Sequence, residues 1–97
     1  MSQDKYTKSA KDQPCQVRIP GVCNHRPETT VFAHLNGAGM GTKFKGPIGA
    51  YACYRCHMSV DGHIKTTYTK DELELFHLQG MARTLQIMIR DGLIDDR

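Results

Sequence analysis

The chain has no tryptophan, and aromatic residues make up only 7% of its 97 positions. A core filled mainly by large rings is therefore excluded. No apolar run approaches the roughly 20 residues that a membrane-spanning helix needs. The opening stretch MSQDKYTKSAKDQP is polar throughout, without the apolar segment of a signal peptide. The sequence thus predicts a soluble, cytoplasmic protein with no membrane partner. Neither a Walker-type nor a dinucleotide fingerprint is present, so the glycines do not argue for a nucleotide cofactor. An excess of charge of either sign is also lacking: 13 Lys and Arg face 10 Asp and Glu, for a mild net +3.

What the chain does have is four cysteines, Cys15, Cys23, Cys53 and Cys56. A chain of this length makes one domain, and one this small often needs a staple to hold its core. In a reducing cytoplasm thiols stay unpaired, which favours metal over disulfides, with buried apolar cysteines as a third reading. Cys53-x-x-Cys56 suits two thiolates on one tetrahedral ion at about 2.3 Å. Seven residues separate Cys15 from Cys23, and the Pro20-Gly21 turn between them lets both face the same ion. Four thiolates would close the shell of a structural Zn2+.

The charge is uneven. Residues 1–60 hold eight Lys and Arg against three Asp and Glu, and residues 61–97 hold five against seven. The basic half also contains the cysteines, which is compatible with a phosphate-backbone partner. Residues 1–13, with Lys5, Lys8 and Lys11, read as a flexible basic arm, and 14–97 as one zinc-stapled domain. Gln16–Ile19 alternate polar and apolar like a short strand, and 29–35 (TTVFAHL) are β-branched and aromatic like a second. Five glycines and a proline make 36–50 a long irregular loop with Lys43 and Lys45 at its basic tip. Residues 64–69 read as a short strand or extended connection. Thr69 and Glu72 form a capping box that starts a helix over about 69–91, which stops at Gly92. Leu78, Met81, Ala82, Leu85, Met88 and Ile89 form its apolar stripe. The class is small α+β with a C-terminal amphipathic helix.

Two further groups could carry chemistry. On a helix starting near Cys56, His57 and Asp61 would share a face, as ligands of a divalent cation or as ordinary surface residues. His34, closing the second strand, is either a structural histidine or a general base facing His57 across a phosphate.

Taken together, CQVRIPGVCNHRPETTVFAHL, the glycine-rich loop and CYRCHMSVD resemble the phage- and prophage-encoded nucleases of the YbcO type. GMART in the C-terminal helix also matches. That family is related to the phage recombination nuclease Ref, within the HNH superfamily. The resemblance implies a ββα-metal core and metal-dependent hydrolysis of DNA in a bacterial cell. His34 would activate water, and His57, with Asp61, would hold Mg2+ or Mn2+. Lys43, Lys45, Arg55 and the N-terminal lysines Lys5, Lys8 and Lys11 would grip the backbone, and phage or host recombination proteins are further candidate partners. Ala33 stands where many HNH proteins carry an Asp or His ligand. It is the feature behind the alternative, a zinc-containing nucleic-acid-binding module without turnover. A protein–protein adaptor acting through the C-terminal helix is a third reading. Oligomeric state is left open.

Overall fold

A computed structural model describes residues 5–36 and 43–94. The elements are α1 (Lys5–Ser9), a 3-10 turn (Pro27–Thr29), β1 (Val31–His34), β2 (Gly49–Ala52), α2 (Tyr54–Val60) and α3 (Lys70–Arg90). β1 and β2 form an antiparallel pair in which Phe32 faces Tyr51 and His34 faces Gly49. The chain leaves β2 through Cys53, which caps α2 by accepting the Cys56 amide on its sulfur.

Alternation along β2 splits the interior in two. Ala50 and Ala52 point into a core with Cys15, Val17, Ile19, Val22, Ala33, Cys53 and Cys56. Tyr51 points the other way, toward Phe32, Ala10 and Met88. Small alanines on one side let the cysteine loop lie close, and rings fill the other side. The outer edge of β2 is also closed. Tyr51 N–H donates to Thr84 Oγ1 at 2.9 Å, and Tyr51 C=O accepts from Gln16 N–H at 2.7 Å. An edge so covered offers no template for another strand.

α3 lies across β2. Its N-terminus carries the expected capping box, Thr69 with Glu72, and Gly92 (φ +79) follows its last turn. The buried face, however, is rotated from the predicted stripe. His77, Gly80, Thr84 and Met88 are buried, whereas Leu78 and Ala82 are exposed. Gly80 explains the choice of face, since a Cβ there would meet Val17 Cα and Cγ2 at 2.9 Å. The helix approaches the cysteine loop so closely that only glycine fits.

Four other expectations are corrected. Part of the supposed basic arm is helical: α1 packs on β1, Tyr6 tilts against Phe32 with centroids 6.5 Å apart, and Ser9 shares a hydrogen bond with the Tyr51 hydroxyl. Gln16–Ile19 form no strand, because Arg18 takes a left-handed φ of +53° that bends the chain around Cys15. Of the two readings of 64–69 the strand is the one corrected, since the segment is a connection with bends at 64, 67 and 68 that joins no sheet. The irregular loop ends before 50, since Gly49 and Ala50 already belong to β2, and Asn36 bridges to Lys43. The remaining loop glycines at 37, 39 and 41 lie outside the described residues.

Candidate metal and catalytic site

The four sulfurs converge. One ligand atom from each of Cys15, Cys23, Cys53 and Cys56 lies within 4.8 Å of all the others. Cys53 and Cys23 Sγ are 3.8 Å apart, close to the edge of a tetrahedron with bonds of about 2.3 Å. Backbone amides point at these sulfurs: Arg18 N–H at Cys15 (3.4 Å), Ile19 N–H at Cys56 (3.5 Å), and Asn24 N–H at Cys53 (3.5 Å). Donors aimed at sulfur stabilise thiolates, and the strained turns at Arg18 and His25 (φ +56) deliver the chain to them.

Four such thiols cannot all ionise without a cation between them. The hydrogen bond from Cys56, followed by backbone amides, holds the Cys15 thiol down at about 4, while the same bond pushes the Cys56 thiol well up. Burial raises Cys23 to about 11. A divalent ion replaces the shared protons, so the donor set fits Zn2+ in chemistry and in spacing. Cys23 is the least buried of the four, and His25 Nδ1 stands 3.8 Å from its sulfur.

Directly after this cluster, α2 carries His57, whose Nε2 donates to Asp61 Oδ2 at 3.1 Å. The other Asp61 oxygen accepts from Lys43 Nζ at 2.9 Å. Lys43 reaches the helix because the loop is tied down, with Phe44 N–H donating to Leu35 C=O and the Asn36 amide to Val60 C=O. Burial lowers the His57 pKa from its ordinary value, more than the Asp61 charge raises it. The imidazole is therefore neutral near pH 7, the form that binds metals.

His34 closes β1 and packs edge-on against Phe32, ring centroids 4.9 Å apart. It does not form a three-ligand group with His57 and Asp61: among the described residues only the cysteines bring three or more ligand atoms within 4.8 Å of one another. Lys45 is exposed, and Arg55 Nε donates to Val22 C=O at 3.1 Å.

Sequence reasoning missed His77. It is buried on α3, and its Nε2 donates to Ala33 C=O at 2.9 Å, which pins the strand just before His34. Its pKa is lowered by burial, against the opposing pull of that carbonyl. The one available signal was its spacing, since His77 falls four residues before Met81 and seven before Thr84.

Residues 4–93 match the family described as "Putative nuclease YbcO". The chain belongs to the YbcO family. It is 42% identical over 93 residues to "Putative nuclease YbcO" of Escherichia coli (strain K12), covering 90% of this chain and 93% of that one. The same figures hold for "Putative nuclease ybcO" of Enterobacteria phage 82. A solved structure, described as "Structure of a putative bacteriophage protein from Escherichia coli str. K-12 substr. MG1655", is 39% identical with a TM-score of 0.77. It covers 90% of this chain and 99% of the other. No helix among the described residues is long and apolar enough to cross a membrane.

Proposed function

We propose that this YbcO-family chain is an HNH-type, metal-dependent DNA endonuclease acting in phage-associated recombination. The observation that carries the reading is the β1–β2 hairpin running straight into α2. His34 ends the first strand, and the His57–Asp61 pair rides on the helix rooted in the cysteine cluster. A proton acceptor apart from a pair of metal-ligand atoms is the layout phosphodiester hydrolysis needs, with the phosphate between them.

In this mechanism His34 removes a proton from water as the oxygen attacks phosphorus. The P–O bond to the leaving oxygen breaks, and that oxygen takes up a proton. Mg2+ or Mn2+, held by His57 and Asp61, would supply positive charge where negative charge develops. Lys43, Lys45 and Arg55 add attraction for the backbone without reading bases. Zinc on the four cysteines serves structure alone.

Buried Ala33, standing before His34 with no ligand atom in its side chain, favours a second reading: the fold as a zinc-containing nucleic-acid-binding module without turnover. Plasmid nicking separates the two. Zinc-loaded protein is expected to nick DNA with Mg2+ or Mn2+ and stop with EDTA, and His34→Ala to lose cleavage at unchanged zinc content. DNA binding without metal-dependent nicking would establish the second reading instead.

A further inference from the structure

One recess lies outside both sites. A groove of about 330 Å³ runs between α1 and β1, lined by Thr7, Lys8, Lys11, Thr30, Val31 and Phe32. Ligand pockets span roughly 300–1,000 Å³, so this one has room for a single nucleotide-sized group. Lys8 and Lys11 are exposed, Val31 is 40% exposed, and the lining contains no acid among the described residues. Apolar floor and cationic rim suit a ligand that is part sugar and part phosphate.

Thr30 turns this recess from a surface feature into a site. It is only 6% exposed, and its Oγ1 has no hydrogen-bond partner among the described residues. Folded proteins rarely leave a buried hydroxyl unpaired, and such exceptions call for a missing partner. Thr30 lines the groove, so a turn of its side chain toward a ligand seated there would provide one.

The groove also adjoins His34. Phe32 lines it, and His34 packs on Phe32 two residues along the same face of β1. From Val31 or Phe32 to His34 is about 7–10 Å of strand, or two to three nucleotides at about 3.4 Å of rise each. We propose that the groove seats one nucleotide of the DNA strand flanking the cleaved phosphate. Its phosphate lies between Lys8 and Lys11, its sugar lies on Val31 and Phe32, and Thr30 donates a hydrogen bond to it. The inference rests on the nuclease reading and adds the path of the strand past His34.

The test uses the full, zinc-loaded chain, a fluorescein-labelled oligodeoxynucleotide followed by anisotropy across a salt series, and plasmid nicking on the same samples. Lys8→Ala/Lys11→Ala should weaken binding and flatten the slope of log affinity against log salt by about one to two. Thr30→Val should lose roughly threefold to tenfold in affinity, with a melting temperature unchanged or raised, because the hydroxyl it removes had no partner. Unchanged affinity and slope in these variants would overturn the groove, and wild-type nicking would leave the nuclease reading standing. Binding lost with the lysines in a protein that never nicks would uphold the groove and overturn the nuclease. Tighter binding of the matching RNA through the same residues would overturn the assignment to DNA.

Discussion

The sulfur cluster and the histidine corner are neighbours along α2, yet they are built in opposite ways. Around the sulfurs four donors already sit within one ion's reach, backbone amides point at them, and three of the four cysteines are buried. At the corner, where we place the second ion, His57 pairs with one oxygen of a largely buried Asp61 and a lysine ammonium with the other. A complete donor set fixes structure, whereas an incomplete one has positions for water and substrate oxygens. The same short helix supplies both, with Cys53 capping its start, Cys56 and His57 near that end and Asp61 capping its last turn.

If that contrast is right, damage to the two regions must differ in kind. The largest effect belongs to the sulfurs. Binding of a structural zinc is typically worth about 10–16 kcal/mol, comparable to the whole stability of a domain at about 5–15 kcal/mol. Cys56→Ser, or a strong zinc chelator, should therefore abolish cooperative unfolding as followed by circular dichroism. At the corner, His34→Ala should cost about 10²–10⁴-fold in nicking rate, as loss of a general base does, with an unchanged melting curve. A collapse of the fold in that variant would erase the distinction.

Gly80→Ala sharpens the boundary between helix and cysteine loop. Alanine is the better helix former by about 1 kcal/mol, but its Cβ would sit 2.9 Å from Val17. Overpacking costs about 1–3 kcal/mol, so the variant should melt at lower temperature, and a higher one would show that the close approach is not rigid. A smaller effect is expected from pH. The folded-state pKa of His77 lies below its ordinary value of 6.5. Stability is then full above pH 6.5 and falls as the pH drops below it, because the unfolded chain takes up the proton first. Replacing His77 by Gln should flatten the acid limb of a melting-temperature profile.

These regions also differ in how legible they were in the sequence. The cysteines could be read because their chemistry admits few uses, and the Thr69–Glu72 box because capping is local. The buried face of α3 could not. Polarity hid His77 and Thr84, which are buried only because Ala33 C=O and Tyr51 N–H, from other elements, give them partners. Hydrophobicity misled at Leu78 and Ala82, which are exposed. α1 escaped notice for a similar reason, since five residues carry no helical pattern and this helix is held by Phe32 and Tyr51 far along the chain.

Titration of zinc-loaded protein with Mn2+, in the presence of an uncleavable phosphorothioate oligonucleotide, tests the claim of one closed and one open metal site. The account predicts one tightly held zinc per chain plus one exchangeable Mn2+, with the Mn2+ lost and the zinc kept in His57→Ala/Asp61→Ala. Mn2+ binding that survives that double substitution, or a zinc-loaded protein that takes up no second ion, would contradict it.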